Sequence, residues 1–170
     1  KIDNDRLLID KLNIKNHVII CGYGILGESI GRSLIIANIP YIVIDNNKDA
    51  VEKAKNSGVN IVYGDPTDST VLEYVRIDKA TILVVTVPNY SDQEQIVLNS
   101  KKLNRSLYMI VKVQKLKKNY RIRDLGVDQI VQPDFETSLA VIRRIYHLNR
   151  VDKIDMINKI KRLKIEQGLV

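Results

Sequence analysis

Gly22, Gly24 and Gly27 stand in the spacing Gly-x-Gly-x-x-Gly, directly after the apolar run His17-Val18-Ile19-Ile20-Cys21. A second apolar run, Tyr41-Ile42-Val43-Ile44, follows and ends on Asp45, eighteen residues past Gly27. Strand, glycine turn, helix, strand and acid in that order make a site for phosphate and ribose. Gly22 permits a tight turn out of the strand. Gly24 carries no Cβ, so a phosphate can approach the main chain there. Gly27 lets the helix that follows pack closely on the sheet. With Tyr23, Ile25 and Leu26 between the glycines, the helix start offers free N–H groups and a partial positive charge to an anion. Asp45 is placed to accept hydrogen bonds from both ribose hydroxyls and disfavours a 2′-phosphate. That points to AMP, ADP or NAD over NADP.

Such a loop needs a parallel sheet to hold it, and the chain has the pattern of one. Short, β-branched, two-sided apolar runs at 17–21, 41–45, 60–63, 81–85, 107–112 and 128–131 read as buried strands. Helical stretches at 25–38, 47–57, 68–75, 90–103 and 115–125 alternate with them, and Gly58 and Gly126 read as helix stops. The fold class is therefore α/β, a doubly wound parallel sheet of six strands with additional helices at the C-terminal end. Residues 1–16 read as a linker, 17–133 as the nucleotide-binding domain and 134–170 as helices. The first residue is Lys1, which suggests a piece of a longer protein.

Ligands of such sheets lie at the carboxyl ends of the strands. Besides the glycine loop, those ends are Asp45-Asn46-Asn47, Gly64-Asp65-Pro66-Thr67 and Thr86-Val87-Pro88-Asn89. Gly64 and Asp65 would set a carboxylate and bare backbone beside the adenine and ribose. Helix capping by Asp65, Thr67 or Asp68 is an equal use of the same residues. Thr86 either lines the phosphate side or ends its strand.

Groups able to do catalysis are sparse. His17 begins a strand, and His147 falls on a late helix, neither with a partner at triad or metal spacing. The single cysteine, Cys21, reads as a small buried hydrophobe. No metal site is expected, and the sheet leaves little chain for a substrate domain, so a binding module is favoured over the cofactor half of an NAD-dependent oxidoreductase.

Charge is uneven: residues 1–100 carry 10 Lys and Arg against 13 Asp and Glu, whereas residues 101–170 carry 17 against 7. The basic charges spread over helical faces without interleaved aromatics, which argues against nucleic acid and suits a position near an anionic membrane. No apolar run in the sequence approaches a bilayer-spanning length.

The segments HVIICGYGILGESIGRSL (17–34), IPYIVIDNN (39–47), VYGDPTDSTVLEYVRIDKATILVVTVPN (62–89) and LGVDQIVQPDFETSLAVIRRI (125–145) resemble the RCK (TrkA-N) domain. This is the regulatory domain of potassium channels and cation/proton antiporters, and the intact glycine loop is similar to the Kef-type antiporter branch. The resemblance implies a non-enzymatic domain on the cytoplasmic face of the cell membrane, preceded in the same chain by a transporter or channel. It implies a homodimer, or a larger ring, that binds AMP, ATP or NAD(H) to control ion flux. Phosphate would sit on Gly22–Gly27, ribose on Asp45 and adenine near Asp65. The helix beginning near Asp134, with Phe135, Leu139, Ile142 and Ile145 at helical spacing, would pack on a partner subunit or on its own sheet. Relatives often carry arginines in strand five and inside the glycine loop. This chain has Lys112 and Gln114 in the first place and Ile25-Leu26 in the second, so backbone contacts must carry more of the phosphate.

Overall fold

A computed structural model describes residues 13–115 and 121–169. Six strands, β1 (Val18–Cys21), β2 (Tyr41–Asp45), β3 (Ile61–Tyr63), β4 (Ile82–Val85), β5 (Tyr108–Lys112) and β6 (Gln129–Val131), form one sheet in the order β3-β2-β1-β4-β5-β6. All pairings are parallel, with Ile19 of β1 in register with Ile42 on one side and Leu83 on the other. The doubly wound sheet expected from the sequence is thus the one observed.

Six α-helices accompany the strands: α1 (Ile25–Ile36), α2 (Lys48–Asn56), α3 (Ser69–Tyr74), α4 (Tyr90–Leu103), α5 (Pro133–Leu148) and α6 (Lys153–Glu166). The predicted helix 115–125 is realised, among the described residues, only as a single 3-10 turn at Ile122–Leu125 closed by Gly126 at φ +85°. Lys115 is held instead by the Tyr90 hydroxyl, which accepts from its N–H and donates to its carbonyl. Residues 116–120 lie outside the described residues, as do residues 1–12 of the expected linker. The end of that segment is docked: Ile14 packs on the core, and the Asn16 N–H donates to the Lys79 carbonyl at 2.8 Å.

Side chains alternate between the two faces of the sheet. Ile19, Cys21, Ile42, Ile44, Leu83, Val85, Met109 and Val111 face Leu72 of α3, Ile96 and Val97 of α4 and Ile122. Val18, Ile20, Tyr41, Val43 and Ile61 face Val51 and Ala54 of α2, with Ile30 and Leu34 of α1 packed on them. Burying each such side chain contributes about 1.5–3 kcal/mol. On this second face the cover ends at β1: Ile82, Val84 and Ile110 are only half-buried, and Tyr108 is 45 % exposed. The α5–α6 hairpin has a small core of its own, Phe135, Leu139 and Ile160, rather than docking on that part of the sheet.

Candidate functional site

The strand order reverses between β1 and β4, and the glycine loop fills that switch point. Gly22, at φ +105°, donates its N–H to the Ile44 carbonyl. A Cβ on Gly22 would lie 2.5 Å from the Thr86 hydroxyl, and one on Gly27 would lie 2.1 Å from the Gly22 carbonyl. Both contacts are closer than side chains tolerate, so the turn and the approach of α1 to the sheet require these glycines. Gly24 differs: a Cβ there would meet nothing within 4 Å. Its bareness is not needed for packing and leaves the main chain open to the cavity beside it.

Thr86 is buried, with its hydroxyl 3.0 Å from the Cys21 carbonyl and 3.2 Å from the Gly22 carbonyl. The two readings of Thr86 both hold in part, since it ties β4 to the turn while also lining the cavity. Asp45 is half-buried, and both of its oxygens are engaged. Oδ2 accepts from the Tyr23 N–H and Oδ1 from the Asn47 N–H, each at 2.7 Å. Its first observable work is to brace the loop, and each oxygen keeps further acceptor capacity. Asp65 is exposed and accepts from the Thr67 N–H and hydroxyl through Oδ1. The capping residue of α3 is Asp68, which accepts from the Thr70 N–H. A Cβ on Gly64 would meet the Val71 side chain at 2.9 Å, so its smallness serves α3 packing, and the cavity is lined by its neighbour Asp65.

The N-termini of α2 to α6 are closed by the side chains of Asn47, Asp68, Asn89, Gln132 and Asp152. Helix α1 begins at Gly24 with no side-chain cap, so its first N–H groups are unsatisfied by side chains and turn toward the loop mouth. That is the arrangement an anion needs.

One cavity of about 970 Å³ gathers the predicted residues: Gly22, Tyr23, Gly24, Ile25, Leu26, Gly27, Asp45, Asn46, Asp65, Pro66, Thr67, Thr86, Val87 and Pro88 all line it. Ile25 is 89 % exposed at its rim. Its far wall joins Asn89, Lys112 and Gln114, which the sequence had placed at or beside strand ends, to Asp92, Val131, Pro133 and Glu136, which the sequence reading missed. The signal available was positional, since each of these lies at or shortly after the carboxyl end of a predicted strand. The cleft spans the ends of all six strands, roughly 24 Å at ~4.8 Å per strand. Its lining contains neither histidine nor cysteine. Cys21 lies beneath the loop, where burial pushes its thiol well above the ordinary range. Among the described residues no group of His, Cys, Asp and Glu could hold a metal ion, and no helix is long and apolar enough to cross a membrane.

Fold and loop together define a doubly wound domain of the nucleotide-binding class. More narrowly, residues 18–133 match the TrkA-N domain family, and the chain belongs to it. Among curated relatives, Potassium channel protein 1 of Methanocaldococcus jannaschii is 31% identical over 141 residues, covering 81% of this chain and 42% of the relative. The glutathione-regulated potassium-efflux system protein KefC of Escherichia coli is 28% identical over 126 residues, covering 74% of this chain and 20% of the relative. The chain thus spans less than half the length of these relatives. Among solved structures, the TrkA-N domain of the Escherichia coli inner membrane protein ybaL superposes with a TM-score of 0.71 at 25% identity, over 76% of this chain and 96% of that one. The GsuK channel bound to NAD gives 0.68 at 23%, over 75% and 23%. The AMP-bound Kef C-terminal domain of Shewanella denitrificans gives 0.69 at 20%, over 90% and 94%; these last two likenesses are of fold.

Proposed function

We propose that this chain is the ligand-sensing regulatory domain of a potassium or cation transport protein, a cation/proton antiporter or potassium channel, and that it binds an adenine nucleotide to control ion flux. The observation that carries the reading is the open cradle at Gly24. Bare backbone and the uncapped start of α1 face a cleft whose ribose side holds Asp45 and Asp65. Phosphate sits on Gly22–Gly27 and ribose on Asp45, whose bonds to Tyr23 and Asn47 fix the carboxylate beforehand. AMP, ATP and NAD(H) are the ligands in view; NAD and AMP occupy the named neighbours. The likeness to potassium channel and potassium-efflux proteins supports a sensor over an enzyme.

The domain works as a homodimer on the cytoplasmic face of the membrane, following a transport domain in the same chain. Two apolar surfaces support the dimer. One is the half-covered sheet face of Ile82, Val84, Tyr108 and Ile110; the other is the stripe of Val141, Ile145 and Leu148 on α5. Ligand binding changes ion flux only if it favours one dimer arrangement over another.

Thermal unfolding with AMP, ADP, ATP, NAD and NADH, comparing wild type with Gly24→Val, tests the site. A nucleotide at a hundred times its dissociation constant should stabilise wild type by about 2.7 kcal/mol. Gly24→Val should keep the fold and lose that shift. If ligand-free wild type responds to none of these, the reading is wrong.

A further inference from the structure

Charge in this domain is sorted along the strand axis. The segments around the amino ends of the strands (13–17, 33–40, 53–60, 74–81, 101–107 and 121–128) carry ten Lys and Arg against three Asp. Those around the carboxyl ends (22–28, 45–49, 64–70, 86–94, 112–115 and 132–136) carry three Lys against nine Asp and Glu. The net is +7 at the base of the sheet and −6 at the cleft end. Helix dipoles account for part of this sorting, because α1 to α4 all end at the base. Four helix C-termini supply about half a negative charge each, roughly −2 in all. An excess of about +5 remains at the base.

The basic surface is stitched together by hydrogen bonds. The Asn16 N–H donates to the Lys79 carbonyl at 2.8 Å, and the Asn104 side-chain amide donates to the Ile77 and Ala80 carbonyls at 2.8 and 3.0 Å. These bonds set Lys15, Lys79 and Arg105 in adjoining loops, and all three are exposed. The Val18 N–H donates to the Pro40 carbonyl at 2.9 Å and joins the α1–β2 connection to the same surface. That connection adds a second property: Ile35, Ile36 and Ile39 are 52 %, 83 % and 41 % exposed. Isoleucines standing clear among cations fit poorly to water and well to the headgroup boundary of a bilayer.

We propose that the base is a docking surface for an anionic lipid bilayer. Lys15, Lys79 and Arg105 lie against the headgroups, and Ile36 and Ile39 enter the boundary beneath them. Charge alone would also suit nucleic acid, but a phosphodiester backbone offers the isoleucines nothing, so they decide for lipid. The cleft lies at the opposite ends of the strands, and a docked domain keeps it open to solvent. Its acidic rim is repelled by the same bilayer, which fixes the orientation. Lipid binding at the base and nucleotide binding in the cleft are separate events, so either can fail alone.

The test is cosedimentation of the 170-residue chain with vesicles of phosphatidylcholine alone and of equimolar phosphatidylserine and phosphatidylcholine. Wild type should bind the anionic vesicles and leave the neutral ones, and salt should weaken the binding. A basic side chain near such a surface corresponds to about fivefold in affinity, so Lys79→Gln with Arg105→Gln should bind about 25-fold more weakly. Ile36→Asn should lose about tenfold, by an amount that salt does not change. Lys48→Gln, at the cleft end, should bind as wild type does. All four side chains are exposed, so thermal unfolding should be unchanged in every variant and separates lost binding from lost fold. Equal binding to both kinds of vesicle would overturn the proposal. So would anionic binding that the base variants retain in full, which would place the attraction on the α5–α6 helices. A wild type that leaves anionic vesicles alone, whether or not it captures a DNA duplex, would overturn it too.

Discussion

The two halves of the sheet are finished differently. On the face covered by α1 and α2, the β1–β3 half buries Val18, Ile20, Tyr41, Val43 and Ile61 under helices from the same chain. On that face the β4–β6 half leaves Ile82, Val84 and Ile110 half-buried and Tyr108 exposed. The same seam runs through the cleft, with the glycine loop, Asp45 and Asp65 on one side and Asp92, Lys112 and Glu136 on the other. A local segment can complete the first half, because each crossover helix returns directly over its own strands. The second half waits for something supplied from elsewhere. The β1–β3 half is therefore where packing variants should cost most, and the β4–β6 half is where association should respond.

The largest effect is expected at Gly27. Its Cβ position lies 2.1 Å from the Gly22 carbonyl, and backbone cannot yield as a flexible side chain can. Gly27→Ala should lose more than about 3 kcal/mol in a denaturant titration. Gly24→Ala, three residues away, should stay within about 0.5 kcal/mol of wild type. Equal behaviour of the two variants would show that the loop adapts and that the contrast between them is not structural.

At the seam itself, Thr86→Val keeps the shape and removes the hydroxyl that serves the Cys21 and Gly22 carbonyls. The expected loss is about 1–3 kcal/mol, the cost of leaving buried acceptors short of a donor. Unchanged stability would mean that β4 and the turn are held by the Thr86 N–H bond to Cys21 alone.

The amino end of β1 gives a pH-dependent contrast. His17 is fully buried and donates from Nε2 to the Val75 carbonyl at 2.8 Å, while Nδ1 has no partner. Burial pulls its pKa below the ordinary 6.5; the Val75 carbonyl and Asp78 oppose this, and Arg76 adds to it. A depressed histidine in the folded state means that the unfolded chain takes up the proton first as pH falls. Stability attributable to His17 is thus full above the unfolded value and declines below it, by at most about 1.4 kcal/mol per pH unit. His17→Gln retains a donor and should flatten the decline below pH ~6.5. Parallel pH curves for the two proteins would assign the decline to other groups.

How far the sequence disclosed the molecule follows from these particulars. Strand runs, the glycine loop and Asp45 were legible because backbone demands restrict residue type: positive φ at Gly22 and contact at Gly27 admit little else. Asp68 against Asp65 as the α3 cap was open, since both fit the capping pattern and only geometry chooses. Of the helix expected at 115–125, residues 116–120 lie outside the described residues; at its start Lys115 is held by a long-range hydrogen bond from Tyr90 that no local propensity encodes. The far wall of the cleft was hidden for a related reason: Asp92 and Glu136 are far apart in sequence and come to line one cavity only through the strand order, and each also passes for an ordinary first-turn acid.

The smallest effect on the single chain should come from the surface that matters most for assembly. Val141, Ile145 and Leu148 are 56 %, 50 % and 66 % exposed along one stripe of α5, while Phe135 and Leu139 earlier on the helix hold α6. Of the apolar stripe foreseen on this helix, Phe135 and Leu139 are buried in the hairpin core, Ile142 is half-buried and Ile145 is exposed. Val141→Asp with Ile145→Asp removes no buried contact and should alter monomer stability by less than about 0.5 kcal/mol per site. In sedimentation velocity, wild type should run as a dimer and the double variant as a monomer. The half-covered residues Ile82, Val84 and Ile110 should then gain hydrogen-exchange protection only in the dimer, if the second copy is what covers them. A wild type that sediments as a monomer at all accessible concentrations would show that a second copy does not cover the β4–β6 half.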